Sequence, residues 1–261
     1  MKRLTQIDKV KSGLVFLSYL CLMGLGIACS EENILGVHLW DLELVNFESG
    51  YQYEKVTFDD GVEMPYVMHS PIVTSASRLP LIFVLHGSIP QGTYKGEIFL
   101  KYLAVPGLPE TDAIFVAPTL RSPHWTSQKA LDQIKALIRG AIKADWPIDP
   151  TKVVVLGYSN GGMGVWYMTG QEPELFAAGI SIAAEPVTGS LKGTNIVPKY
   201  AIHSRNDEVF PFANVQLKLQ DAIDHGAPIV LAPADNLSHS SVDGYAPLLR
   251  EAQPWLLQIL N

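Results

Sequence analysis

Cysteine is scarce in this chain of 261 residues, which contains Cys21 and Cys29 and no other. Cys21 lies within a short apolar segment near the amino terminus, so removal of that segment would leave Cys29 alone. A chain with one cysteine has no internal disulfide and must be stabilised by its hydrophobic core. With 48% hydrophobic residues, the chain is long enough to form such a core as one domain.

Basic residues are also few, since 19 Lys and Arg against 26 Asp and Glu give a net charge of −7. Without residues 1–28, which carry four basic residues and one acidic residue, the net charge is −10. An acidic surface without a basic stripe argues against nucleic-acid binding. The sequence has no His, Cys or Asp cluster with metal-ligand spacing and no phosphate-binding loop, so we expect neither a metal nor another cofactor.

Long hydrophobic runs are absent apart from residues 13–28, which follow a basic segment at residues 1–12. This arrangement is typical of a secretory signal. The run is short for a membrane-spanning helix, which needs about 20 apolar residues, although a single-pass anchor is an alternative. We therefore assign residues 1–28 to a signal peptide and residues 29–50 to a tether and edge element.

The end of the signal segment, LGIAC, resembles the lipobox of bacterial lipoproteins, with Gly26 where leucine is more usual. In that family the cysteine is lipidated and becomes the first residue of the mature protein, which implies lipidation of Cys29. Ser30 after the cysteine implies sorting to the outer membrane, with the protein facing the periplasm or the cell surface. Simple cleavage and release is the alternative.

The rest of the chain alternates between strand and helix patterns after an initial hairpin at Asp60-Gly61. Continuous apolar runs predict strands buried on both faces, and apolar residues at helical spacing predict the helices between them. The predicted strands are 79–85, 112–118, 152–157, 176–184, 197–204 and 228–234, and the predicted helices are 127–146, 160–169, 214–226 and 245–260, the last interrupted by Pro254. This order predicts an α/β fold with a mainly parallel central sheet, an antiparallel amino-terminal hairpin and helices on both faces. In such sheets, sites lie beyond the carboxyl ends of the strands.

Ser159 stands between glycines in the segment GYSNG, where a β-branched run gives way to helix-forming residues. This pentamer fits G-x-S-x-G, the nucleophile elbow. Such a tight turn needs small residues two positions before and after the serine, and the helix beginning at Asn160 directs free N–H groups toward a developing oxyanion. With 21 glycines the pentamer can also arise by chance, so a simple turn residue is the alternative.

A serine nucleophile needs a general base, and the base needs a carboxylate to orient it. Of the later histidines, His203 lies at a strand end and His225 at a helix end, whereas His239 lies in the final strand-to-helix loop, where the base is expected. Asp207 and Glu208 follow a predicted strand, and we prefer Asp207 as the acid. Capping of the following helix is the alternative for Asp207.

Several segments occur in the order seen in one known superfamily, namely LHGS, VAP, LDQIKALI, DPTKVVVLGYSNGGMGVW, PELFAAGISIAAEP, IHSRNDEVFP and SHSS. From residue 79 to residue 260 the chain resembles the α/β-hydrolase superfamily, especially its phospholipase/carboxylesterase and feruloyl-esterase-like branch. The resemblance implies that Ser159, Asp207 and His239 form a catalytic triad. It also implies an oxyanion hole formed by the backbone N–H groups of Asn160 and Ser88.

These features predict a serine esterase whose catalytic domain spans residues 51–261, with no large lid and an open site for small or extended soluble esters. Trp125, Tyr158 and Glu185 are candidate pocket-lining residues, and His86 is expected to shape the oxyanion loop. The alternatives are a serine peptidase or amidase of the same fold and an inactive, surface-anchored binding protein. The sequence predicts no oligomeric state.

Overall fold

The computed structural model describes residues 35–74, 76–187, 191 and 197–261. The predicted signal peptide, Cys29 and the first part of the predicted tether lie outside the described residues. The strands are β1 (Gly50–Thr57), β2 (Glu63–Ser70), β3 (Leu79–Leu85), β4 (Ile114–Pro118), β5 (Ile148–Tyr158), β6 (Ala178–Ile182), β7 (Lys199–Ser204) and β8 (Ile229–Ala234). The helices are α1 (Leu39–Glu43), α2 (Glu97–Phe99), α3 (Val105–Gly107), α4 (Gln128–Lys143), α5 (Asn160–Gln171), α6 (Phe212–Asp224) and α7 (Ala246–Leu260).

Within the described residues, the strands form one eight-stranded sheet in the order β1-β2-β4-β3-β5-β6-β7-β8. The β1–β2 and β2–β4 pairs are antiparallel, and all pairs from β4 to β8 are parallel. The antiparallel hairpin turns at Gly61, whose φ is +77°, as the Asp-Gly pair predicts. The carboxyl ends of β3, β5, β7 and β8 therefore meet at one edge of the sheet, where ligands bind in folds of this kind.

Successive strand residues point to opposite sides of the sheet, so a continuously apolar strand makes both faces apolar. Helices cover each of these faces. On one face, Leu81 and Phe83 pack in a cluster with α1, α4 and α5. On the other face, Ile82 and Val84 pack with the helical segment of residues 97–107 and with α7. A smaller cluster around Trp166 packs α5 and α6 against the β7–β8 end of the sheet. The prediction of a mainly parallel sheet with helices on both faces is confirmed.

The residues before β1 pack on the domain as a short helix and an isolated bridge. Leu42 in α1 is buried, and its carbonyl accepts a hydrogen bond from the indole of Trp146 at 3.0 Å. Val37 forms a single antiparallel bridge with Phe58. Residues 35–49 therefore cover one end of the core that α1 and α4 share.

Two elements differ from the sequence prediction. Residues 97–107 are helical, with α2 and α3 joined by a π-helical turn at Leu100–Ala104, whereas the sequence predicted no element there. The helix α7 continues through Pro254, where the sequence predicted an interruption. Leu249 and Leu256, on either side of the proline, are both fully buried, so tertiary packing offsets the lost backbone hydrogen bond.

No helix within the described residues combines the length and the apolar character needed to cross a membrane.

A lysine is buried at the start of β7, at the edge opposite the carboxyl ends of the strands. The Lys199 side chain is fully buried, and its Nζ donates a hydrogen bond to the carbonyl of Val197 at 2.9 Å. Among the described residues, no carboxylate pairs with this ammonium group. Burial consequently lowers the pKa of Lys199 to about 8.

We expect Lys199→Met to raise the free energy of unfolding at pH 7, by about 1–3 kcal/mol, because it removes a buried unpaired charge. Folding lowers the pKa of Lys199, so the unfolded chain binds the proton more tightly between pH 8 and the ordinary lysine pKa. As the pH rises above 8, the free energy of unfolding of the wild-type protein therefore increases relative to that of the variant, by up to about 1.4 kcal/mol per pH unit.

Urea unfolding at pH 7 and pH 9.5 measures this difference. Lys152→Met, at a partly exposed lysine on β5, serves as the control for loss of one positive charge. A stability difference between Lys199→Met and wild type that is the same at both pH values would contradict the prediction.

Candidate functional site

Ser159 occupies a sharp turn between β5 and α5. Its φ of +54° and ψ of −116° are unusual for a residue with a side chain, which places it among strained positions of the kind found at active sites. The Ser159 N–H donates to the carbonyl of Ile182 on the neighbouring strand at 2.9 Å, and the Ser159 carbonyl accepts from Met163 in α5. The turn is thus held by both the sheet and the helix.

The glycines around Ser159 are required by close contact between β5, β3 and α5. A Cβ atom at Gly157 would lie 2.1 Å from the carbonyl oxygen of Gly161, and a Cβ atom at Gly161 would lie 2.0 Å from the carbonyl oxygen of Leu85. Real Cβ atoms do not approach backbone this closely, so neither position accepts a larger residue without movement. The G-x-S-x-G spacing therefore has the steric cause that the sequence predicted.

Three side chains form a continuous hydrogen-bonded chain at this edge of the sheet. The Ser159 Oγ lies 2.9 Å from Nε2 of His239, and Nδ1 of His239 lies 2.9 Å from Oδ2 of Asp207. Because the carboxylate only accepts, the proton of the neutral imidazole is on Nδ1, and Nε2 is free to accept from the serine hydroxyl. This tautomer is the one that a general base for Ser159 requires.

The Asp207 carboxylate is buried and held by backbone donors. Its Oδ1 accepts from the N–H groups of Val209 at 2.9 Å and Phe210 at 2.7 Å, and its side chain is fully shielded from solvent. These bonds fix the orientation of the carboxylate and compensate the negative charge. Asp207 does not cap α6, because Pro211 stands at the start of that helix and no side chain caps it. The two backbone bonds instead hold the loop before α6, and Oδ2 is directed toward the imidazole.

His203 packs beneath Asp207 and binds the loop that carries Asp207. Its Nε2 donates to the carbonyl of Phe210 at 2.7 Å and lies 3.7 Å from Oδ2 of Asp207, which is too far for a hydrogen bond. Burial lowers the pKa of His203, so at neutral pH it is uncharged and forms no ion pair with Asp207. The exposed His225 lies at the carboxyl end of α6, as the sequence predicted, and not at this site.

The loop that carries His239 is held by the loop that carries Asp207. The Glu208 carboxylate accepts from the backbone N–H of His239 at 2.9 Å, and the Asn206 side chain accepts from the N–H of Asn236 at 3.0 Å. On the other side of His239, the Tyr158 hydroxyl donates to the His239 carbonyl. Both backbone groups of His239 are therefore bound, which fixes the position of its imidazole.

His86 orients the peptide group that precedes Ser88. Burial lowers the pKa of His86 to about 4, so its ring is neutral at pH 7. Its Nε2 accepts from the N–H of Leu120 at 3.1 Å, which leaves the proton on Nδ1 to donate to the Gly87 carbonyl at 2.6 Å. In a planar trans peptide the C=O and N–H point in opposite directions, so this bond turns the Ser88 N–H away from His86.

The Ser88 and Asn160 N–H groups make no hydrogen bond with any other described residue. Gly87 is close to Ser159, since a Cβ atom on Gly87 would lie 3.5 Å from Cβ of Ser159. Asn160 is the first residue of α5, where backbone N–H groups are free and the helix dipole is positive. The arrangement suits an oxyanion that develops beside Ser159.

Two cavities lie beside the loop of Ser88, and Ser159 lines the larger of them. One, of about 330 Å³, is mainly apolar and is lined by Phe99, Ile98, Tyr158 and Val242 together with Ser159 and His239. The other, of about 230 Å³, is lined by His86, Lys95, Ser122, Pro123 and Asn160. Ser88 and Ile89 line both cavities, so the two cavities are adjacent.

Of the predicted pocket residues, Tyr158 lines the apolar cavity, whereas Trp125 and Glu185 line neither of these two cavities. The Trp125 side chain is fully buried, and its indole donates to the His86 carbonyl at 2.9 Å. The Glu185 carboxylate instead pairs with Lys218 at 2.7 Å.

Sequence reasoning missed several residues of this region. The Asn160 side chain accepts from the Trp125 N–H and donates to the Pro123 carbonyl, both at 3.3 Å, so it holds the loop that lines the smaller cavity. Phe99 belongs to the helical segment that the sequence did not predict, and Lys95 precedes it. The sequence offers Glu208 only as a competitor of Asp207 for the acid position.

No group of three or more His, Cys, Asp or Glu side chains among the described residues is arranged to hold a metal ion.

Comparison with known protein families matches residues 122–192 to the model of the prolyl oligopeptidase family (Peptidase_S9), which is well under half of the chain. Comparison with curated proteins finds no match.

Solved structures with related folds include esterases and a peptidase. A thermostable esterase superposes with a TM-score of 0.69 at 22% identity, over 80% of this chain and 62% of that one. The native esterase Est2 of the planctomycete Thermogutta terrifontis superposes with a TM-score of 0.59 at 17% identity, over 80% of this chain and 92% of that one. A provisionally assigned dipeptidyl aminopeptidase IV from Bacteroides ovatus gives 0.62 at 15% identity, over 80% of this chain and 36% of that one.

These superpositions, with the sheet order and the helices on both faces, show that the chain has the α/β-hydrolase fold. The chain spans less than two thirds of the thermostable esterase and about a third of the peptidase.

Glu208 is expected to act as a positioning residue through the backbone of His239. Its replacement in Glu208→Ala removes the acceptor for the His239 N–H, so the imidazole loses one of its two backbone anchors. We expect Ser159 to react about tenfold more slowly with a fluorophosphonate reagent, because small displacements of a base cost large factors in rate.

The matched variant is Glu208→Gln, which keeps an acceptor oxygen and removes the charge. We expect its labelling rate to stay within roughly twofold of wild type, since the neutral hydrogen bond retains the geometry. Mass spectrometry of the labelled Ser159 peptide measures both rates. Equal slowing in the two variants would mean that the charge of Glu208 matters and its hydrogen bond does not.

Proposed function

We propose that this chain is a serine hydrolase that cleaves carboxylic esters through an acyl-enzyme intermediate. The observation that carries the proposal is the hydrogen-bonded chain from Asp207 through His239 to Ser159. The strained turn at Ser159, the free N–H groups of Ser88 and Asn160, and the two adjacent cavities supply the other parts that ester cleavage needs.

The reaction follows from the positions of these groups. The Ser159 Oγ attacks the ester carbonyl carbon while His239 Nε2 takes the hydroxyl proton, and the carbonyl oxygen becomes an oxyanion that accepts hydrogen bonds from Ser88 and Asn160. The tetrahedral intermediate collapses as His239 returns the proton to the leaving alcohol oxygen. Water then attacks the acyl-enzyme by the same steps, which releases the acid and restores Ser159.

Asp207 stabilises the imidazolium that forms at each proton transfer. Its carboxylate is fixed by two backbone N–H groups and stays oriented toward Nδ1 of His239 throughout. Because Asp207 is buried, its charge interacts with the imidazolium with little solvent screening.

A serine peptidase of the same fold is the second candidate. The match of residues 122–192 to the prolyl oligopeptidase family and the likeness to the Bacteroides ovatus protein favour it. Esters need less activation than amides for cleavage. The structural likeness to esterases supports the hypothesis that the substrates are esters. An ester and an amide with the same acyl group, offered side by side, separate the two candidates.

An inactive binding protein is the remaining alternative. It requires no particular geometry at Ser159, whereas the tautomer of His239, the burial of Asp207 and the free N–H groups all fit one reaction. We therefore prefer the enzyme.

We expect the protein to hydrolyse p-nitrophenyl esters of short acids and Ser159→Ala to lose this activity by about 10³-fold or more in kcat. Asp207→Asn should lower kcat by a comparable factor, because an asparagine amide favours the wrong imidazole tautomer. Initial rates over a series of acyl chain lengths measure both, with far-ultraviolet circular dichroism as the folding control. Activity of Ser159→Ala equal to wild type would exclude the proposal and favour the binding protein.

We also propose, on the sequence alone, that residues 1–28 direct export, that Cys29 is lipidated, and that the lipid anchors the protein in the outer membrane. We expect the protein expressed in a bacterium with lipoprotein processing to partition into detergent with an acylated amino-terminal Cys29, and Cys29→Ala to prevent this. Mass spectrometry of the amino-terminal peptide and membrane fractionation test it. An unmodified amino terminus in the soluble periplasmic fraction would contradict lipidation.

A further inference from the structure

The smaller cavity beside Ser159 contains one cationic side chain. Lys95 lies in its wall, with Ser88, Ser122 and Asn160 around it, and none of the residues that line this cavity is acidic. The Lys95 backbone N–H donates to the Thr119 hydroxyl at 3.0 Å, and Thr119 Oγ1 donates to the Thr93 carbonyl at 2.8 Å. The segment that carries Lys95 is therefore tied to the end of β4.

The Lys95 ammonium group has no ionic partner within the part of the chain that the structure describes. Glu97, two residues away, binds Lys101 at 2.7 Å and the hydroxyl of Tyr53 instead. Lys95 is half-buried. In a chain with an excess of acidic residues, an unpaired, half-buried cation in the active-site cleft is well suited to bind an anionic ligand group.

The two cavities take different parts of an ester. His239 must return its proton to the leaving oxygen, so the leaving alcohol lies on the side of His239. That side is the apolar cavity, which His239, Phe99 and Val242 line. The cavity with Lys95 lies on the side of Asn160, and His239 does not line it.

We propose that Lys95 binds a carboxylate at the far end of the acyl group, so that the preferred substrates are monoesters of dicarboxylic acids with an apolar alcohol. This inference rests on the proposed function and names its substrate class. The alcohol occupies the cavity around Phe99, the scissile carbonyl lies at Ser88 and Asn160, and the acyl chain extends past Asn160 toward the Lys95 ammonium group.

The test uses benzyl hydrogen succinate, glutarate and adipate, each paired with the neutral benzyl ester of the fatty acid with the same number of carbons. Release of benzyl alcohol, followed by chromatography, gives kcat and KM for each ester. In wild type we expect kcat/KM for the best anionic ester to exceed that of its neutral partner by about tenfold, as a charge-assisted hydrogen bond supports.

Lys95→Met should lower kcat/KM for the anionic ester by about tenfold, mainly through a higher KM, and should change the neutral ester by less than about twofold. Lys95→Arg, which keeps the charge, should retain most of the preference. Lys152→Met, which removes a positive charge on β5 outside the cavity lining, controls for the change in net charge and should behave as wild type.

Binding provides a readout that does not depend on turnover. Titration calorimetry should detect binding of benzyl hydrogen glutarate to Ser159→Ala. The affinity for this ester should fall about tenfold in the double variant that also carries Lys95→Met. Equal kcat/KM for anionic and neutral esters in wild type would overturn the inference while leaving the hydrolase intact. An equal fall in kcat/KM for the anionic and the neutral ester in Lys95→Met would also overturn the inference, because the lysine would then have a structural role.

Discussion

The contact between the end of β5 and the start of α5 determines the geometry of the whole site. Here two backbone segments approach so closely that no side chain fits at Gly157 or Gly161. The chain can make this contact only if Ser159 adopts a positive φ, which costs about 1–3 kcal/mol for a residue with a Cβ. Burial of the helix that follows offsets the cost, since Val165, Trp166 and Met168 are all fully buried. The serine hydroxyl is therefore presented at the sheet edge by core packing.

Asp207 and His239, the proposed acid and base, are placed relative to this serine by two adjacent loops. Asp207 follows β7 and His239 follows β8, and the parallel pairing of these strands brings the loops side by side. The Ser204 hydroxyl donates to the Leu237 carbonyl at 2.7 Å and the Arg205 N–H donates to the Ala234 carbonyl at 2.8 Å, so the two loops form one hydrogen-bonded unit. Tyr158 connects that unit to the nucleophile strand through the carbonyl of His239.

The sequence was sufficient for the parts of the site that backbone geometry imposes. A glycine-flanked serine after a β-branched run predicts the turn, and the order of strands predicts that Asp207 and His239 lie at the same edge. The contacts of Glu208 and Lys95 depend on how separate loops face each other, which no local pattern encodes. The helical segment around Phe99 escaped prediction because it begins amid glycine and proline signals, and tertiary burial of Phe99 outweighs them.

Two of the histidines serve as neutral hydrogen-bonding scaffolds around the third. His86 holds the Gly87 carbonyl and His203 holds the Phe210 carbonyl, and in both cases burial lowers the imidazole pKa. A lowered pKa keeps each ring uncharged at neutral pH, so each retains one donor and one acceptor nitrogen. In the proposed reaction, the loops that carry Ser88 and Asp207 would thus keep their shape while a proton passes between Ser159 and His239. Burial therefore distinguishes these two structural imidazoles from that of His239, the proposed base.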